Sequence, residues 1–122
     1  MPSVIHWSAT LQERQVIGAL NFLRLLLSEK EVKKAGKQLR RKFTITFHAA
    51  KDIIRASQSQ MVADSDDNLK EQLRKIKVGE SISPIVLLRL ERRVIVADGF
   101  HRLCAGYKID EKQKIACIEI EL

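Results

Sequence analysis

Ser83-Pro84-Ile85-Val86-Leu87, followed by Val94-Ile95-Val96-Ala97-Asp98-Gly99-Phe100-His101-Arg102-Leu103-Cys104-Ala105, is the stretch whose reading decides the fold. Ile82 to Leu90 is rich in strand-forming residues. Pro84 removes one ladder hydrogen bond from that run and so marks a strand start or an edge. Arg92-Arg93 reads as a hairpin turn, and Val94 to Ala97 returns as an almost uninterrupted apolar strand, the pattern of a strand buried on both faces. Asp98-Gly99 breaks it, and His101 to Lys108 reads as a helix. Two strands feeding a helix through a glycine turn require a sheet with a helix laid on it.

On the N-terminal side, Thr10 with Glu13 has the spacing of a capping box. Val16, Leu20, Leu23 and Leu27 follow at helical spacing, which predicts an amphipathic helix over 11–27. Ser28 with Glu31 repeats the box, and Val32, Ala35 and Leu39 predict a second helix ending near Arg41. Phe43 to Phe47 alternates as a half-buried strand does. Ala49 to Ser57 reads as a short helix and Gln58 to Asp64 as a polar connection. Asp64 or Ser65 is the expected cap of a helix carrying Leu69, Leu73 and Ile76 on one face, with Gly79 ending it. After a charged loop from Asp110 to Lys114, Ile115 to Leu122 reads as the last strand. The expected architecture is α+β: a small mixed sheet packed by helices (43–122), preceded by an N-terminal helical hairpin (1–42) in one compact domain.

The chain has 122 residues, 45% of them hydrophobic, enough for one core. Its most apolar run, Val16 to Leu27, is interrupted by Asn21 and Arg24 and is too short to span a bilayer, so no membrane association is expected. Met1 to Trp7 lacks the charged, apolar and small-residue sections of a secretory signal, pointing to a cytoplasmic protein. Cys104 and Cys117 are too few for a disulfide framework and lack metal-binding spacing, and both read as buried thiols. The net charge of +7 is concentrated between Lys30 and Lys42, where Lys30, Lys33, Lys34, Lys37, Arg40, Arg41 and Lys42 face Glu31 alone. Such a patch suits a nucleic-acid backbone, an acidic partner, or simply a solvated helix face. His6 and Trp7 read as a staple before the first helix, His48 as a polar edge residue, and Tyr107 as core-facing with its hydroxyl at the rim.

The chemistry-bearing unit is Asp98-Gly99-Phe100-His101-Arg102. Amides at a helix N-terminus are unpaired and lie at the positive end of the helix dipole, a combination that binds phosphate. Gly99 permits a sharp turn and close approach, and Arg102 can grip phosphate oxygens in a fork. His101 can donate a hydrogen bond or carry a proton near neutral pH, and Asp98 can orient it or hold a hydrated metal ion. His101 and Asp98 are thereby the catalytic candidates. The plainer alternative makes Asp98 a helix cap, Gly99 a turn residue, and His101 and Arg102 solvated surface groups.

The order of Ser83-Pro84-Ile85-Val86-Leu87, a second strand and the Asp-Gly-Phe-His-Arg turn resembles the ParB/sulfiredoxin superfamily, over about residues 43–120. It is most similar to small bacterial ParB-like proteins. The resemblance implies that Gly99, Phe100, His101 and Arg102 hold nucleotide phosphates, with a nucleoside triphosphate and Mg²⁺ as the cofactor. It further implies that Asn68, Glu71 and Lys75 on a preceding helix add contacts. Sulfiredoxins carry a cysteine where Phe100 stands, which argues against that activity. ParB partition proteins continue into a DNA-binding domain that this sequence does not include. Free-serine kinases of the same fold use a similar turn with a distant glutamate, for which Glu71 and Glu80 are the counterparts here. Three functions stay open: a nucleotide-binding domain acting as a nucleotide hydrolase or phosphotransferase; a non-enzymatic nucleic-acid-binding or regulatory protein using Lys33, Lys34, Lys37, Arg40 and Arg41; and a module whose leading helices pair with a partner or a second copy as a homodimer.

Overall fold

The computed structural model describes residues 4–41 and 43–122; Lys42 of the basic run and the Met1–Ser3 start lie outside them. The elements in chain order are β1 (His6–Trp7), α1 (Glu13–Leu23), α2 (Glu29–Arg40), β2 (Ile45–Ala49), α3 (Ala50–Ser57), α4 (Asp67–Lys77), β3 (Ser81–Ile82), β4 (Ile85–Arg89), β5 (Val94–Asp98), α5 (Phe100–Ile109) and β6 (Lys114–Ile120). The fold is α+β, as expected.

Four strands form a mixed sheet in the order β2-β6-β4-β5. β6 lies antiparallel to β2 and parallel to β4, while β4 and β5 form an antiparallel hairpin closed where the Leu90 amide donates to Arg93 O over 2.8 Å. β1 and β3 make a separate parallel pair, joining His6 to Ser81 and Trp7 to Ile82. Trp7 is therefore half-buried in a strand rather than stapling the first helix.

Helices cover both faces of the sheet because its central strands alternate between two apolar sets. Val86, Leu88, Ile118 and Ile120 face Val16, Ala19, Leu20 and Leu23 of α1 and Val32, Ala35 and Leu39 of α2. Ile85, Leu87, Ile115 and Cys117 face Ala50 and Ile53 of α3 and Leu103 of α5. A third cluster joins Leu69 and Ile76 of α4 to Cys104 and Ala105 of α5, with Ile5 and Ile82. Each fully buried Leu or Ile contributes about 1.5–3 kcal/mol.

The strand buried on both faces is β4, not β5. Ile85 to Leu88 are all buried, whereas Val94 to Val96 are half-exposed on an edge strand. The parallel pairing of β6 puts β4 inside, and periodicity does not report which of two adjacent apolar runs gains that neighbour. Pro84 stands one residue before β4, at the strand start that its missing amide requires.

The Ser28–Glu31 box forms, the Glu31 amide donating to Ser28 Oγ over 3.2 Å and the Ser28 amide to Glu31 Oε1 over 3.0 Å. The Thr10–Glu13 box does not. Gln12 and Gln15 cap α1 in its place, and the helix ends at Leu23, four residues short of the expected Leu27, in a turn exposing Leu25 and Leu26. Glu13 is drawn away by Arg40, which donates to it from Nε over 3.0 Å and from Nη2 over 2.7 Å and holds its carboxyl below the usual range. Asp66, rather than Asp64 or Ser65, caps α4 by accepting from the Leu69 amide over 2.9 Å. Gly79 follows α4 at φ +81°, the left-handed conformation that ends helices.

Candidate functional site

β5 ends at Asp98 where β4 begins at Ile85, and the chain reverses there into α5 through Gly99. The φ of Gly99 is +92°, and a Cβ at this position would lie 2.7 Å from Ile85 Cγ2 and 2.7 Å from Arg102 Nη2. Only glycine meets both conditions, left-handed backbone and no room for a methyl group. No side chain caps α5, so Asp98 is not the helix cap that the plainer reading made it.

Asp98 serves Arg102 instead. Arg102 Nη2 donates to Asp98 Oδ2 over 2.9 Å and to Pro84 O over 3.0 Å, which pins the guanidinium across the strand ends. Its side chain is 12% exposed and that of Asp98 23%. Arg102 Nε is buried and has no hydrogen-bond partner among the described residues. The same holds for Gln72 Oε1 on α4.

Both residues border a cavity of about 290 Å³ at the end of the sheet. The start of α1 supplies Gln12, Arg14 and Gln15, α4 supplies Gln72 and Lys75, and the approach to β4 supplies Ser81 and Ser83. Arg14, Lys75 and Arg102 face the single carboxylate of Asp98, leaving a cationic, almost wholly polar recess. Ligand sites of small molecules start at about 300 Å³, so this one suits a phosphate-headed ligand of modest size.

The structure brings together only part of the expected site. Asp98, Arg102 and Lys75 line the cavity and Gly99 packs beneath Arg102 without lining it, while Asn68 and Glu71 are exposed and do not line it. Glu71 is taken by Arg74, whose Nη2 lies 2.7 Å from Oε1, and Arg74 Nη1 reaches Glu80 at 3.5 Å. Neither glutamate lines this cavity. His101 points elsewhere, with Nε2 3.4 Å from Asp66 Oδ1, so Asp98 does not orient it. The Leu69 amide, then the charge of His101, hold the Asp66 carboxyl below its ordinary range. Phe100 lines a different groove beside Phe22, Ile95 and Val96, along the free edge of β5.

Among the described residues no cluster of three or more His, Cys, Asp or Glu is placed to hold a metal ion. Mg²⁺ is usually held by one or two carboxylates together with substrate phosphates. The cavity offers the one carboxylate of Asp98, whose Oδ2 is already bound to Arg102. Its residues therefore fit an anion better than a cation.

No protein-family model, no curated protein and no solved structure matches the chain.

Gln12, Arg14, Gln15, Gln72 and Ser81 were not legible as site residues. Gln72 had a faint signal, since it stands three residues before Lys75 and shares its helix face. Arg14 and Gln15 had none, because only the packing of α1 on the sheet brings them to Arg102.

Cys104 and Cys117 are free and buried, and desolvation raises both thiols, that of Cys117 to about 12. His48 lies on the edge strand β2, its Nε2 3.5 Å from Glu119 Oε1. Tyr107 is half-buried against the α3–α5 core. No helix among the described residues is long and apolar enough to cross a membrane.

Proposed function

We propose that this chain is a ParB/sulfiredoxin-like domain that binds a phosphate-bearing small ligand, a nucleotide or its phosphate moiety, in the cavity beside Asp98 and Arg102. The observation that carries this reading is the buried, unpartnered donor Arg102 Nε on a residue lining a recess whose charges are Arg14, Lys75 and Arg102 against Asp98. A buried donor without a partner costs about 1–3 kcal/mol, and a ligand oxygen accepting from Nε would recover it. Gln72, through its amide N–H₂, and Ser81 and Ser83 add donors that suit ligand hydroxyls or phosphate oxygens.

The arrangement supports binding more directly than catalysis. Asp98 acts as the positioning group of Arg102, and His101 pairs with Asp66 outside the cavity lining.

Isothermal titration calorimetry with ATP, CTP, GTP and inorganic pyrophosphate, each with and without Mg²⁺, tests the reading. Saturable binding is expected for at least one ligand, weakened about tenfold or more in Arg102→Gln and in Lys75→Ala. Lys75 makes no salt bridge among the described residues, and a thermal melt of Lys75→Ala separates binding from stability. Absence of binding by all four ligands, or binding that both variants retain, overturns the proposal.

A further inference from the structure

The four-stranded sheet ends on β5, which has a neighbour on one side only. Its hairpin with β4 is closed by the Leu90 amide on Arg93 O, and hydrogen-bonded pairs alternate with non-bonded ones along an antiparallel ladder. Ile95 therefore bonds inward to Leu88, while Val94 and Val96 turn their N–H and C=O groups outward. Among the described residues, no turn, loop or side chain bonds the main chain of either valine.

The usual guards of such an edge are missing. Between Arg93 and Asp98 the strand carries no charge and no proline. The bulge opposite Val86 and Leu87 confines regular pairing to Val94–Val96 without blocking it. A groove of about 440 Å³ follows the edge, and its apolar residues are open to solvent: Ile95, Val96 and Phe100 are half-buried, and Phe22 of α1 is 39% exposed. α1 runs alongside the strand, with Gly18 by Asp98 and Phe22 by Ile95.

We propose that two copies of this chain join edge to edge through antiparallel β5 strands, about a two-fold axis at Ile95, so that their sheets become one. Free main-chain donors and acceptors select an extended polypeptide as the occupant, and a two-fold axis lets each strand serve the other. Outward-facing residues must meet outward-facing residues. The register that uses both valines sets Val94 opposite Val96 of the second copy, and Ile95 opposite its own counterpart. Charge fixes the direction. Arg92 and Arg93 stand at one end of the strand and Asp98 at the other, so antiparallel pairing carries the arginines of one copy toward the Asp98 end of the second, whereas parallel pairing would stack them together. The basic helix α2 packs over β6, two strands from this edge, and Phe22 of α1 is covered as the edges join.

Sedimentation equilibrium of the full chain at physiological salt tests this. Pairing over three residues with a small apolar flank makes a dimer of micromolar strength, so the mass should rise from one chain near about 1 µM to two near about 200 µM. Val96→Pro removes an outward N–H, which an edge strand tolerates, and is expected to weaken the dimer about tenfold or more. Phe22→Lys leaves the ladder untouched, puts a charge on the covered flank and gives a similar loss. Thermal melts of both variants confirm folding, and should Val96→Pro fail to fold, Phe22→Lys and two cysteine variants decide alone.

The cysteines read the register. Ile95→Cys places two thiols at a non-hydrogen-bonded cross-strand pair, whose Cα separation of about 4.5 Å lies within disulfide reach, so mild oxidation should link the copies. Val96→Cys is the control, since residue 96 of each copy lies diagonally from its counterpart at about 7–8 Å. Cys104 and Cys117 are buried and do not compete. A chain that stays monomeric at about 200 µM overturns the proposal and leaves the edge to a foreign strand. A dimer that a folded Val96→Pro or Phe22→Lys retains overturns it as well, as does oxidation that links position 96 as readily as position 95, or links neither.

Discussion

Replacing Gly99 by alanine tests the turn on which the whole site depends. Two costs add. A non-glycine residue in left-handed backbone costs about 1–2 kcal/mol, and a methyl group forced against Ile85 and Arg102, each 2.7 Å away, costs about 1–3 kcal/mol as overpacking. The sum is about 2–5 kcal/mol. Unfolding entropy of about 2.1 cal/mol/K per residue, applied to 122 residues, converts 1 kcal/mol to about 4 °C in Tm. Gly99→Ala is thus expected to melt about 8–20 °C below wild type by differential scanning calorimetry. Gly79→Ala is the internal control. Gly79 is at φ +81° with nothing within 4 Å of its would-be Cβ, so only the backbone cost applies, a fall of about 4–8 °C. Equal falls for the two variants would show that the close approach of Ile85 and Arg102 costs nothing, and the geometric argument for Gly99 would fail.

Leu87→Ala should cost about 2–5 kcal/mol and Val94→Ala clearly less, measured by urea unfolding, because β4 is enclosed and β5 is an edge; comparable losses would contradict that order. The folded-state carboxyl of Asp66 lies below its unfolded value, so its stabilisation is complete above about pH 4 and is lost as pH falls through the folded value. Asparagine caps a helix as well as aspartate but does not titrate, so the advantage of wild type over Asp66→Asn should shrink below about pH 4; a difference that stays constant down to acid unfolding would refute this. Cys104 and Cys117 should not react with a thiol reagent in the folded protein near pH 8 and should both react in guanidinium, since desolvation raises each thiol; rapid labelling of the native chain would contradict their burial.

The sequence carried the local rules well and the long-range ones poorly. Ser28 and Glu31 form their box because both partners lie within one turn and nothing competes. Thr10 and Glu13 have the same spacing, but Arg40 claims the glutamate from another helix. Likewise the apolar runs of β4 and β5 are equally strand-like, and only the pairing of β6 decides which one is enclosed. At the site, Gly99 and Arg102 were readable because turn and arginine are neighbours in sequence. The pairing of His101 with Asp66, and the arrival of Arg14 and Gln72 at the cavity, depend on how α1 and α4 dock.

The position of β6 has a consequence for how the chain acquires its structure. Residues 114–120 lie between β2 and β4, which are separated in sequence by two helices and β3, and among the described residues β2 pairs with no other strand. During synthesis the α1–α2 pair and the β4–β5–α5 unit can assemble from near neighbours, but the sheet stays divided until its last strand leaves the ribosome. Contacts such as Ile45 with Ile118 close long loops, and loop closure of this kind is slow. The rate-limiting event in refolding is therefore expected to be insertion of β6. A nascent chain halted before Lys114 would display two half-sheets with unpaired edges, an aggregation-prone state suited to capture by chaperones.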